Sequence, residues 1–180
     1  MARVTLVELH NAVLESLRGV AWQRFTGAYP EVKTALVTPA LYFAINAWSR
    51  ADAGTDQLHV DADCSIYLAV NRSLNIEGGM SPELYARDLA DDLTCRVDAQ
   101  TFGLDISPSV FLSAEVDEFD KEMDDYHLWR VDFSVELPVG PDPHDITRAP
   151  LQQLWLGKAP NIGAGHEEDY TPLLPEVRRE

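Results

Sequence analysis

Over two long stretches the chain places apolar residues at every second position and polar ones between them. The clearest is "QLHVDADCSIYLAV", where Leu58, Val60, Ala62, Cys64, Ile66, Leu68 and Val70 fall on one face. His59, Asp61, Asp63, Ser65 and Tyr67 fall on the other. A period of two predicts a strand with one buried and one wet face. His127, Trp129, Val131, Phe133, Val135 and Leu137 repeat the pattern, and Val110, Leu112, Ala114 and Val116 form a shorter version. These last two runs, with the segment joining them, predict a long antiparallel hairpin. "ALYFAINAW", after Pro39, is rich in strand formers and follows a proline at the position where its missing N–H costs least. "SRADAGTD" then links it as a hairpin to the alternating strand.

Helical spacing occurs twice. In "TLVELHNAVLESLRG", Thr5 and Glu8 stand at capping-box spacing, Leu6, Leu9, Val13 and Leu17 recur at helical intervals, and Gly19 supplies a stop. Ser81 as N-cap and Pro82 in the first turn open a second helix, predicted to run to about Ala99. It lays the stripe Ala86, Leu89, Leu93 and Val97 on the sheet. Residues 20–37, with Trp22, Phe25, Tyr29 and Pro30, predict a short strand and a loop. Seven of the 11 prolines lie from Pro138 onward, a density that cannot build a sheet interior. The expected fold is therefore α+β: a mainly antiparallel sheet flanked by two helices over residues 1–137, followed by a proline-rich extended arm over 138–180. Within that arm "LQQLWLG", with Leu151, Leu154, Trp155 and Leu156, is the apolar patch that needs something to pack against.

Length allows one such core, and no run approaches the roughly twenty apolar residues of a membrane span. The N-terminal residues lack the pattern of a signal peptide, which predicts a protein kept in cytosol without a membrane role. Cys64 and Cys95 have no cysteine or histidine neighbours at zinc-ligand spacing and are predicted to be two buried thiols.

Charge changes the picture most. The formal net charge is -16, and residues 38–137 hold 20 acids against six bases, so a nucleic-acid binder of the basic-patch kind is excluded. "EVDEFDKEMDD" alone carries seven carboxylates, Glu115, Asp117, Glu118, Asp120, Glu122, Asp124 and Asp125, against one lysine. It fails the calcium-loop pattern, because Glu122 or Asp125 stands where glycine is needed and Leu128 or Val131 where the closing glutamate is needed. His59, Asp61 and Asp63 share a strand face, but alternate positions lie about 7 Å apart and share one ion awkwardly. "HEEDY" at His166 lacks the second histidine of a zincin. The carboxylate pairs Glu118/Glu122 and Asp88/Asp92 are predicted to be exposed, without the burial that raises a pKa. There is no nucleophile elbow and no phosphate-binding glycine loop at a strand-to-helix junction. Neither catalysis, a metal nor a cofactor is expected.

The order of elements and several local strings resemble the tail terminator proteins of long-tailed bacteriophages. The resemblance runs over about residues 5–137, through "VELHNAVLESLRG", "TPALYFAI", the strand ending at Val70, "SPELYARDLADDLTCRV" and "YHLWRVDFSVEL". The proline-rich arm departs from the shortest members, which end near the last strand. Membership implies a structural, non-enzymatic virion protein at the head-proximal end of the tail, assembled in host cytoplasm. It implies six copies in a ring capping the tail tube, with tail tube, sheath and head-tail connector proteins as partners. DNA would pass through without specific binding, and dense carboxylates suit such a bore because they repel a polyanion. The candidate lining is the 115–125 carboxylates or the Asp61 and Asp63 face; the arm residues Leu151, Leu154, Trp155 and Leu156 are candidates for docking on a neighbour. Arg3, Arg18, Arg24 and Lys33, in the less acidic N-terminal part, are candidates for pairing with a neighbour's acids.

Three other readings compete. One is a neck or stopper protein of the same connector, and another a small cytosolic enzyme or ligand-binding domain with its pocket between helix 81–99 and the sheet. The third is an inhibitor that mimics the charge of DNA.

Overall fold

The computed structural model describes residues 2–29, 36–54, 56–76, 78–117, 124–143 and 154–173. The first helix, α1 (Leu6–Arg18), begins where the spacing predicts: the Thr5 hydroxyl accepts from the Glu8 amide and the Glu8 carboxylate accepts from the Thr5 amide. It buries Leu9, Val13, Leu14 and Leu17, and Gly19 closes it in ordinary right-handed geometry rather than with the left-handed turn that glycine permits. A short strand, β1 (Phe25–Ala28), lies parallel to β2 (Ala40–Ala51). The long alternating stretch is β3 (His59–Asn71), antiparallel to β2. The second helix, α2 (Pro82–Val97), is capped by Ser81 and buries Ala86, Leu89, Ala90, Leu93 and Val97. It stops two residues short of the predicted end, because Asp98 already has extended backbone and Ala99 then turns the chain with a φ of +56°. Then come β4 (Val110–Val116) and β5 (Tyr126–Pro138), paired antiparallel.

The five strands form one sheet in the order β1-β2-β3-β5-β4, so the hairpin strand β5 inserts beside β3 and every contact except β1/β2 is antiparallel. This is an α+β fold. Register explains the single core: Leu41, Leu68 and Trp129 stand in one row and Phe43, Ile66 and Val131 in the next. Both helices pack on that same face. Burying these apolar side chains is the main favourable term in the stability of the unit. Phe133 sits at its centre, fully buried, with ring centroids 6.2 Å from Phe43 and 6.0 Å from Phe102.

Beside the helices, Trp22 donates from its indole N–H to the Asp92 carboxylate at 2.7 Å, and Arg96 donates to the same oxygen at 2.6 Å. Asp92 is thus half-buried and paired, a correction to the exposed Asp88/Asp92 pair. Partial burial works against its ionised form, but the two hydrogen bonds outweigh it and hold the carboxyl below the ordinary aspartate range. Its contribution to stability is accordingly present above the unfolded aspartate range and lost as pH falls through the lowered folded value.

Four further expectations change. Val110, Leu112 and Val116 are exposed rather than core: a bulge between Phe111 and Ser113 turns Phe111 and Ala114 to the helix side in place of Val110 and Leu112, while Val116, opposite Trp129 on the helix side, lies at the exposed end of the strand. Leu58 lies outside the core and receives the Val139 and Gly140 amides on its carbonyl. Cys95 is exposed on α2, whereas Cys64 is buried. Lastly, the first compact unit runs to Pro143 rather than ending at Leu137: Gln57 donates to the Gly140 carbonyl and so ties the residues after β5 to the sheet.

The cysteine difference has a direct consequence. Burial pushes the Cys64 thiol up to about 12, and the thiolate is the reactive form. One fast-reacting thiol per chain, abolished by Cys95→Ser, is expected on titration with a disulfide reagent at pH 8, with the second released only in denaturant. Two fast thiols in the native protein would contradict the buried placement of Cys64.

The second unit, residues 144–180, contains a two-residue hairpin, β6 (Trp155–Leu156) with β7 (Thr171–Pro172), and a 3-10 turn at Glu167–Asp169. Its described part is folded back on itself rather than simply extended. None of its described side chains is buried, and Leu154, Trp155, Leu156, Ile162 and Leu173 are exposed.

Candidate functional site

One face of the sheet carries both helices, and among the described residues the other carries none. Near the start of β2, the second face is covered by its own aromatics: Tyr42 and Ala69 are buried with Phe25, Leu36, Tyr67, Tyr126 and Leu128 around them. Tyr29 stacks on Tyr67 with centroids 4.3 Å apart. Moving along the strands, the face becomes polar. Alternation places Asp61 and Asp63 of β3, Glu115 of β4, and Arg130, Asp132 and Glu136 of β5 on this side. Five carboxylates face one guanidinium there, and Asp61 stands directly opposite Glu136. Like charges paired across strands destabilise a sheet. The Asp61–Glu136 opposition is thus a cost to folding rather than a support of it.

Asp132 organises the middle of the face. It accepts from the Ser65 hydroxyl at 2.5 Å, the Ser113 hydroxyl at 3.2 Å and Arg130 Nε at 2.9 Å, while Asn46 donates to Ser65 at 2.6 Å. Arg130 reaches on to Glu115 at 3.5 Å. The Asp132 hydrogen bond, its charge and that of Glu115 keep the guanidinium above its ordinary range. Asn46, Ser65, Ser113, Arg130 and Asp132, with Asp63 beside them, line a shallow depression of about 470 Å³. Chemically it is a satisfied network: Ser65 donates to an aspartate already holding an arginine, and no described histidine bonds to it. Ser65 is fully buried and His59 is 5 % exposed, which corrects the uniformly wet face predicted for β3. Ser65 is covered by the network, and His59 by Glu136, whose Oε1 lies 3.1 Å from its Nδ1. Asp132→Ala leaves three donors without their acceptor, and a loss of about 2–4 kcal/mol in urea unfolding is expected. A change under about 0.5 kcal/mol would show the network to be solvated surface.

The predicted site residues separate as follows. Asp61, Asp63 and Glu115 are exposed on the helix-free face. Asp117 follows β4, half-buried, with its amide donating to the Leu128 carbonyl and its charge acting on the Tyr67 hydroxyl. Asp124 and Asp125 are exposed, and Asp124 borders a different depression, of about 400 Å³, with Arg72, Glu83, Arg87 and His127 at the start of α2. Burial, then the Arg72 charge, holds His127 below the ordinary histidine range. Glu118, Asp120, Glu122 and Leu151 lie outside the described residues. Leu154, Trp155 and Leu156 are exposed in the second unit. The sequence pattern did not single out Asp132, Ser65 and Arg130; only the pairing of β5 between β3 and β4 brings them together.

Among the described residues no group of three or more histidine, cysteine, aspartate or glutamate side chains is placed to hold a metal ion. None of their helices is long and apolar enough to cross a membrane. No family model matches the chain, and no curated protein matches it significantly.

Proposed function

We propose that this chain is a structural virion protein, a tail terminator of a long-tailed bacteriophage, whose copies form a ring that caps the tail tube and joins it to the head-tail connector. The carrying observation is that Asp61 and Asp63 share with Glu115, the first of the 115–125 carboxylates, the sheet face that no described helix covers. With that face turned to the axis, the bore is lined by carboxylates and repels the DNA that passes through it. The helices then lie outward. The reading assigns no catalytic residue, because the polar cluster on the face is internally satisfied. Its partners are further copies of the chain, most simply six, with tube, sheath and connector proteins, and its place is the head-proximal end of the tail.

Native mass spectrometry of the purified chain tests this: a closed species of six copies is expected, and a persistent monomer or dimer would reject it. The second unit enters as an assembly element. Its exposed Trp155, Leu154 and Leu156 have no buried companion of their own among its described residues, and apolar groups in that state gain by docking on a neighbour. Deleting residues 144–180 should leave the cooperative melt of residues 1–143 intact and weaken the oligomer by about tenfold or more in dissociation constant. An oligomer of unchanged size and dilution stability would remove the second unit from assembly.

A further inference from the structure

We propose that the depression at the start of α2 binds a small organic acid, its carboxylate held by Arg72 and His127 and its apolar body lying along Trp129 and Val116. The site is on the helix side of the sheet, where Val116, Trp129 and Leu68 stand in one row and His127 and Val70 in the next. It therefore stands apart from the ring reading and does not need it. A volume of about 400 Å³ is within the range of small-ligand sites. Arg72 follows directly on β3 and is held by main-chain carbonyls: its amide donates to Asp125 at 2.9 Å and its Nε to Tyr126 at 3.2 Å. Its terminal nitrogens remain for a ligand. Among the described residues Arg72 forms no ion pair with a carboxylate, whereas Arg18, Arg87, Arg96 and Arg130 each do. Beside it, Trp129 is half-buried and Val116 is 53 % exposed, so the adjoining wall is apolar and open.

The acids around the depression select the charge of the ligand. Glu83 takes Arg87 at 3.3 Å, Asp117 acts on the Tyr67 hydroxyl of the opposite face, and Asp124 is exposed. A single negative charge is attracted by Arg72. A dianion such as phosphate is repelled twice as strongly by Glu83 and Asp124 and has no apolar body to lay on Trp129. The amides of α2 are not required, since that of Leu84 already donates to Ser81 Oγ. His127 couples the site to pH. Burial and then the Arg72 charge disfavour its protonated ring, Glu83 favours it, and a bound carboxylate adds to the favourable side. Binding and protonation therefore assist each other. Affinity should rise as pH falls through the histidine range, where the ligand is still ionised.

Titration of the full chain with 3-phenylpropionate, followed by NMR of the His127 imidazole, tests the site. The His127→Gln variant assigns the signal, 3-phenylpropionamide and inorganic phosphate serve as the other probes, and chloride matches the ionic strength throughout. The acid should move the His127 signal with a dissociation constant on the order of 1 mM, raise its titration midpoint, and bind about tenfold more weakly to Arg72→Gln. The amide and phosphate should each bind at least about tenfold more weakly than the acid. A signal that the acid leaves in place would overturn the site, whatever the oligomeric state proves to be. Equal binding of the amide would overturn the role of the carboxylate, and equal binding of phosphate that of the apolar body. Binding to Arg72→Gln at undiminished strength would place the acid elsewhere and overturn the assignment.

Discussion

The chain with Asp61→Lys, Asp63→Lys and Glu115→Lys should bind duplex DNA in its assembled form, where the unaltered protein ignores it. Each replacement changes the charge of the helix-free face by two, and all three side chains are exposed; the cost to the fold is confined to Glu115, whose ion pair with Arg130 is lost. Asp61 loses a like-charged neighbour in the exchange, since it stands opposite Glu136. Because phosphate neutralisation dominates nonspecific affinity, the gain at 50 mM salt should exceed about a hundredfold and fall steeply by 200 mM. Fluorescence anisotropy with a labelled duplex reads both effects. A variant that assembles normally and still ignores DNA would mean that these carboxylates do not face the path of the nucleic acid.

Phe133→Ala should be the most destabilising single change in the first unit. The ring is fully buried between Phe43 and Phe102, in the row where β5 meets β3 and faces the helices. Removing it forfeits the transfer energy of the ring and leaves a cavity, together about 3–5 kcal/mol. Against a typical total of about 5–15 kcal/mol, that brings a domain close to unfolding at ambient temperature. Urea denaturation followed by tryptophan fluorescence measures it. A loss under about 1 kcal/mol would show that the core refills the space.

These two residue classes differ in how far the sequence exposes them. Phe133 is legible because its strand alternates without interruption from His127 to Leu137, and a period of two over eleven residues has no competing explanation. The two helices are legible from their caps: Thr5 with Glu8, and Ser81 with Pro82, state a start before any packing is known. β4 misleads, since the alternation Val110, Leu112, Ala114, Val116 reads as one core face. The bulge at Leu112 is fixed by pairing with β5, a long-range fact that local periodicity does not carry. Cys95 misleads for a related reason: its place on α2 lies just off the buried stripe.

The acidic face was legible in part. Asp61 and Asp63 announce themselves by standing between apolar positions, and the 115–125 cluster by its density. That Asp61, Asp63 and Glu115 share one face depends on β5 lying between β3 and β4, which strand order alone decides. The same order assembles Asn46, Ser65, Ser113, Arg130 and Asp132 from four strands, with no spacing in the chain to foretell it. Like charges held in opposition on β3 and β5 have no local structural benefit.

Electron cryomicroscopy of the purified, assembled chain tests the central claim most directly, because it shows which sheet face looks toward the axis. The expected map is a closed annulus with α1 and α2 at its outer wall and Asp61, Asp63 and Glu115 pointing into the channel. An annulus with the helices lining the channel, or particles with no central opening, would contradict it.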